Sequence, residues 1–226
     1  MALFIDKDGL NKDLLETCFH FPTSKKALII FTRNPELGKC KTRLAATIGD
    51  ENALAIYKTL LKHTADITQD LNLDKYVYYS EQIWKDDVWD EEIFRKKIQE
   101  GTNLGSRMEN AFKDLFSVGY EKLIIIGSDM YNLSQNNLEN AFESLEKNDF
   151  VIGPAEDGGY YLLGMKEVKS KVFRNKEWGS NTVLANTLLD LQNKKVTTLD
   201  VRNDIDVYDD IKDITVFQKY IVNKYE

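Results

Sequence analysis

KLIIIGSD, residues 122–129, decides how this chain folds. Leu123 to Ile126 run apolar without a polar alternate, so both faces of the strand they form are covered, as in parallel sheets flanked by helices. The run ends in Gly127, Ser128 and Asp129, which sets an aspartate on a rigid support just past a central strand. In open α/β sheets, ligands bind beyond the C-terminal ends of the strands.

Outward from this strand the same unit repeats. KALIIFTR (26–33) is a second continuous apolar strand, followed by the polar loop NPELGKCKTR (34–43). A helix then runs from about Asp50, with Leu54, Tyr57, Leu60, Leu61, Thr64, Ile67 and Leu71 as its stripe. YVYYS (76–80) predicts a strand, and FRKKIQE (94–100) a short polar one near a sheet edge. LGSRMENAFKDLF (104–116) predicts a helix with Leu104, Met108, Ala111, Phe112 and Leu115 on one face.

Beyond the central strand, Leu138, Ala141, Phe142 and Leu145 form a helical stripe and FVIGP (150–154) is the next strand. YYLLG (160–164) follows a Gly-Gly turn and pairs with a neighbour. A helix over 181–191, a short strand VTTLD (196–200) and a closing helix over 209–220, through Ile211, Ile214, Phe217 and Ile221, complete the pattern. Such alternation predicts a mostly parallel α/β sheet in one domain, 25–226. Residues 1–24 stand apart as an N-terminal extension. Leu10, Leu14, Leu15, Cys18 and Phe19 recur there at near-helical spacing, either as a helix packed on the body or as an appendage ordered by a partner, and Pro22 stops it.

With 226 residues, 42% of them hydrophobic, the chain is long enough to build a core without disulfides or a structural metal. Thirty Lys and Arg against 37 Asp and Glu give a formal charge of -7, which argues against a nucleic-acid binder. Cys18 and Cys40 have no partners at zinc spacing and do not form a disulfide scaffold, so free thiols are expected. The longest apolar runs fall far short of the ~18 residues of a membrane span. The N-terminus lacks the basic region and long apolar core of a signal peptide. These features predict a soluble, cytoplasmic protein with no transmembrane segment, and they leave the oligomeric state open.

Four post-strand clusters carry candidate chemistry. Arg33, Gly38, Lys39, Lys41 and Arg43 gather four cations in one loop of an acidic protein, where they could hold phosphates; the alternative is a solvated loop, and the Walker pattern is absent. Asp129 is placed to bind Mg²⁺ or Mn²⁺, or else caps the next turn. GPAEDGGYY (153–161) sets Asp157 before Gly158 and Gly159, either a loop whose backbone approaches something closely or a plain turn with exposed acids. Tyr160 and Tyr161 alternate across a strand, so only one of them is expected to meet a ligand. In RNDIDVYDD (202–210), an extended Asp204-Ile205-Asp206 points both aspartates to one side, where they could complete a metal site; alternatively Asp206 caps the last helix.

FTRNPELGKCKTRLA, GTNLGSRM, IIIGSDMYNL, VIGPAEDGGYYLLG, WGSNTVLANT and VRNDIDVYDDI together resemble the bacterial glycosyltransferase A-type family of uncharacterised proteins, domain of unknown function 2064. More distantly, the chain is similar to the molybdenum-cofactor and lactyl-phosphate nucleotidyltransferases. The likeness runs from about Lys26 to Ile214 and implies the three-layer, Rossmann-like nucleotide-diphospho-sugar transferase fold. It implies that Gly38, Lys39, Lys41 and Arg43 hold the phosphates of an activated donor. Asp129 would be the metal-binding aspartate after the central strand, joined by Asp206 with Asp204. Asp157 to Tyr160 would form the loop near the second substrate, with Asp129 and Asp157 in catalytic roles, and Arg107 in the LG-x-R-M segment would reach the ligand.

Two departures stand out. Met130 and Tyr131 replace the Cys-Pro common in the family, which removes the stiffness of proline, and Gly179 precedes Ser180 after Trp178. Asp129 is isolated, without a D-x-D triplet. The resemblance implies a metal-dependent glycosyltransferase using a nucleotide-sugar and a small-molecule acceptor. Its rivals are a nucleotidyltransferase acting on a nucleoside triphosphate and a phosphorylated small molecule, and a non-catalytic nucleotide-binding protein.

Overall fold

Residues 22–221 are described by the computed structural model. β1 (Lys26–Thr32) and β4 (Lys122–Gly127) are neighbours at the centre of a seven-stranded sheet of order β3-β2-β1-β4-β6-β5-β7. The other strands are β2 (Asp74–Tyr79), β3 (Phe94–Ile98), β5 (Phe150–Pro154), β6 (Tyr160–Met165) and β7 (Val196–Thr198). β6 runs antiparallel to both β4 and β5, and all other pairings are parallel. The polar FRKKI strand lies at one edge, as its composition requires.

Both apolar runs are covered on two faces. Leu28, Ile30, Ile124 and Ile126 pack into one cluster, and Ala27, Ile29, Leu123 and Ile125 into the other. The first cluster takes in α1 (Thr42–Ile48), α2 (Asp50–Thr68) and α4 (Gln135–Lys147); the second takes in α3 (Leu104–Ser117) and the flank of α5 (Val183–Asp190). The result is the mostly parallel α/β sheet that the alternation predicts, in the three layers that the family resemblance implies. Buried Leu, Ile and Phe side chains on each face contribute ~1.5–3 kcal/mol apiece.

The ends of the chain differ from expectation. The closing helix over 209–220 is instead two 3₁₀ turns, Tyr208–Asp210 and Thr215–Tyr220. Ile211, Ile214, Phe217 and Tyr220 recur every third residue, the period at which 3₁₀ side chains stack, and Ile211 and Phe217 are fully buried. α1 was not expected, because Gly49 at φ 87° separates it from α2 and its seven residues show little periodicity. The helix expected within 1–24 lies outside the described residues, although Thr23 is bonded to the buried Asp74. Among the described residues, no helix is long and apolar enough to cross a membrane.

Candidate active site

The strand order reverses between β1 and β4, so a crevice opens beyond their C-terminal ends. β1 delivers Phe31, Thr32 and Arg33 to it, and β4 delivers Gly127, Ser128 and Asp129. Beneath it, the Tyr57 hydroxyl on α2 accepts from Arg33 N–H at 2.9 Å and lies 3.3–3.4 Å from the Thr32 and Ser128 hydroxyls. Ser128 therefore ties the two strands together.

The cationic loop is pinned rather than freely solvated. Buried Asn34 donates to Gln82 O at 2.7 Å and accepts from the Glu81 and Gln82 amides. Buried Cys40 donates through Sγ to Asn34 O and Glu36 O. Lys41 follows in the left-handed region (φ 49°), which is strained for a residue with a Cβ. This turn carries its side chain inward, leaving it 7% exposed, with Nζ 2.8 Å from Asp129 and 3.9 Å from Asp206.

The cations fall into distinct sets. Lys41 and Arg43 are engaged by the aspartates, with Arg43 2.5 Å from Asp206. Lys39 turns outward to Glu36 and Glu81. Among the described residues, the Arg33 guanidinium makes no ion pair or hydrogen bond, and that of Arg107 meets only Gly101 O and the Gln99 amide oxygen. Gly38 makes a turn at φ 73° and does not line the crevice.

Asp129, Asp204 and Asp206 converge on Lys41 from segments far apart in sequence. Asp204 and Asp206 both face the crevice while Ile205 between them is buried, as an extended segment requires. Asp206 is not a cap: the Asp210 carboxylate accepts from the Asp206 and Val207 amides. Burial, reinforced by the Asp129 carboxylate, pushes the Asp204 carboxyl up to about 6. Burial works against the Lys41 charge, but Asp129, with Asp204 and Asp206 behind it, holds that ammonium above the ordinary lysine value. Among the described residues, no three His, Cys, Asp or Glu groups already form a metal cage.

The crevice has two compartments that share Phe31, Leu104, Gly127, Asp129 and Asp204. The polar one, about 730 Å³, contains Arg33, Lys39, Lys41, Arg43 and Arg107. The apolar one, about 250 Å³, is walled by Met108, Tyr160, Tyr161, Trp178 and Val183, with Asp157 and Gly159 at its side. Asp157 accepts from Gly159 N–H at 2.8 Å, so it closes a turn as well as facing the compartment. Gly158, at φ 86°, lies outside the lining, and a Cβ there would overlap the Asn181 backbone.

The expectation that only one tyrosine faces the site is corrected. Tyr160 and Tyr161 belong to opposite core clusters, yet both border the apolar compartment. The β5–β6 register shifts at Gly153/Pro154, and such a bulge re-aims side chains at a strand end. The Tyr160 hydroxyl is fully buried and has no hydrogen-bond partner among the described residues, so its ring rather than its oxygen meets the compartment. Met130 lines the same space, while Tyr131 packs on His63 and Phe217 in the core. Phe31, Trp178, Val183 and Gln99 were not singled out from the sequence. Phe31, Trp178 and Val183 lie within the quoted family segments and Gln99 within the edge strand, but none carried a site role there, because apolar site residues look like core in a single sequence.

This is the nucleotide-diphospho-sugar transferase type of α/β fold. The chain belongs to the DUF2064 family, uncharacterized proteins conserved in bacteria, whose model matches residues 63–180. It is similar to a proposed nucleotide-diphospho-sugar transferase from Desulfovibrio desulfuricans G20, with 28% identity, a TM-score of 0.76, and coverage of 82% of this chain and 84% of that one. More remote likenesses concern the fold alone. A 4-diphosphocytidyl-2C-methyl-D-erythritol synthase from Anaerococcus prevotii DSM 20548 has 11% identity and a TM-score of 0.53, covering 88% and 95% of the two chains. A cytidylyltransferase from Leptospira borgpetersenii serovar Hardjo-bovis (strain JB197) has 15% identity and a TM-score of 0.53, covering 81% and 82%. No curated protein matches the chain in sequence.

Proposed function

We propose that the protein is a transferase acting on a nucleotide-linked donor, with glycosyl transfer from a nucleotide-sugar as the leading reaction. Nucleotidyl transfer from a nucleoside triphosphate is the second reading, because similar acids and cations serve both. One observation carries the proposal: a cation-lined compartment and an apolar one meet at Asp129 and Asp204. The Desulfovibrio relative, by the activity proposed for it, supports the same class.

Arg33 and Arg107, free of acidic partners among the described residues, receive the donor phosphates. Asp129 and Asp204 offer the hard oxygen donors that Mg²⁺ or Mn²⁺ takes, and such ions are commonly held by one or two carboxylates completed by substrate phosphates. Bound there, the ion supplies neutralisation of charge developing on the leaving diphosphate. Lys41, displaced from Asp129, adds its ammonium to the same charge. In the glycosyl reaction the acceptor oxygen bonds to the sugar carbon. The bond from that carbon to the diphosphate oxygen breaks, and its electron pair departs on the nucleoside diphosphate. The acceptor proton passes to a carboxylate, for which Asp157, anchored by Gly159 N–H beside the apolar compartment, is placed.

Calorimetry with uridine, guanosine and cytidine diphosphates, with and without Mn²⁺, tests the donor side. Mn²⁺-dependent binding is expected in the wild type and its loss in Asp129→Asn. A wild-type metal response in that variant would remove the metal from this site. Failure to form product from either nucleotide-sugars or nucleoside triphosphates would remove the transferase reading itself.

A further inference from the structure

The two compartments differ in charge as sharply as in polarity. Among the described residues, all the cations of the crevice lie in the larger one, while no lysine, arginine or histidine lines the smaller. The charged groups that border the smaller compartment are Asp129, Asp157 and Asp204. A phosphate placed there would meet carboxylates with no cationic side chain in the described lining to offset them, an arrangement that disfavours a phosphate rather than binding it. The walls instead offer ring faces, with Trp178 and Tyr160 edge to face at 6.4 Å between centroids. At about 250 Å³ the space is small for a ligand pocket and suits one compact ring system.

The wall that carries Trp178 is firmly seated. A Cβ on Gly105 would overlap the Phe173 carbonyl and the Trp178 indole, and Gly158 abuts the Asn181 backbone in the same way. Leu184 N–H donates to Gly158 O at 2.9 Å, and Arg174 reaches buried Glu109 at 3.0 Å. A pocket held open by such contacts is preorganised, so little ordering is needed on binding.

We infer that the apolar compartment takes an acceptor that bears no phosphate: an uncharged hydroxyl compound with an apolar ring face that rests on Trp178, its hydroxyl turned to the carboxylates at the junction. The inference builds on the transferase reading, and it favours glycosyl transfer over nucleotidyl transfer to a phosphorylated small molecule.

The matched probes 2-naphthol and 2-naphthyl phosphate differ only in the phosphate, and their binding is read by saturation-transfer NMR at fixed ionic strength, without nucleotide or metal. Wild-type protein is expected to bind 2-naphthol, Trp178→Ala at least tenfold more weakly, and Trp178→Phe within about threefold of wild type. Thermal unfolding of each variant separates loss of the wall from loss of the fold. 2-Naphthyl phosphate is expected either not to bind or to bind with an affinity that Trp178→Ala leaves unchanged, as for a phosphate held in the cationic compartment. The inference is overturned if 2-naphthol does not bind, if a folded Trp178→Ala binds it as the wild type does, or if the phosphate ester binds as tightly with the same dependence on Trp178. Because no donor is present, bound 2-naphthol in a protein that transfers nothing would sink the transferase reading and leave the pocket's selectivity standing.

Discussion

Lys41 joins three facts that would be unrelated at any other position: a left-handed backbone, a buried ammonium and a cluster of three aspartates. Strained conformations of this kind persist where the surroundings over-determine them, and here the surroundings are carboxylates. Asp204 bears the opposite consequence. Its folded value of about 6 exceeds the ordinary 3.8, so the folded state favours the protonated carboxyl. The stability this contributes is fully present below 3.8 and is lost as pH rises through about 6. A difference of that size corresponds to ~3 kcal/mol at face value, and solvent access to the side chain cuts it to about 1 kcal/mol. Asp204→Asn is therefore expected to stabilise the protein by about that amount at pH 8, with the gain vanishing below about pH 4, while Mn²⁺-dependent nucleotide binding is lost. Urea unfolding of both proteins across this range is the check; a pH-independent difference would detach Asp204 from the titration.

Among the elements, α3 fixes the geometry of the apolar wall. Asn103 caps it through Ser106 N–H, Gly105 lets the Trp178 segment approach, and Glu109 one turn on binds Lys113 and Arg174. Burial opposes the Glu109 charge, but hydrogen bonds from Lys113, Arg174 and Ser170 prevail and lower its carboxyl to about 2. A depressed carboxylate adds stability above its ordinary 4.5 that is lost as pH falls through about 2. Lys113 and Arg174 are largely exposed, so the net effect is about 1 kcal/mol rather than the full shift. Glu109→Gln should cost about this much at pH 7 in denaturant unfolding, and the difference should narrow between pH 4.5 and pH 3. A constant deficit over that interval would mean that the substitution costs packing rather than charge.

For the molecule as a whole, an acidic chain of charge -7 places two arginines that have no acidic partner among the described residues, Arg33 and Arg107, in one crevice at the sheet's switch point. A ligand bound at that crevice would draw on β1, β4 and α3 together, and so stabilise the folded state as a whole. A nucleoside diphosphate with Mn²⁺ at a hundred times its dissociation constant should add ~2.7 kcal/mol. For a domain of this size that corresponds to roughly 5–10 °C in Tm. The rise should shrink with added salt, since the arginines are solvent-facing. Unchanged melting temperatures with every nucleotide tested, with and without Mn²⁺, would move the donor site elsewhere.

The sequence by itself determined the layers and the strand ends at which the candidate site residues stand. Continuous apolar runs required strands covered on both faces, so Asp129 had to stand at the mouth of a central strand, and the resemblance in five further segments carried the family. Periodicity also held the clue to the final segment, whose apolar residues recur at three rather than 3.6. Only the tertiary structure decided which cations are free. Lys41 meets Asp129 across 88 residues and Arg43 meets Asp206 across 163, contacts that depend on strand order and on which loops share a crevice. Charge runs in a sequence reveal the cations but not their partners, so Arg33 and Arg107 were indistinguishable from Lys39. The apolar wall escaped for a related reason: Phe31, Met108 and Trp178 follow the same burial rules as core residues until folding leaves a space between them.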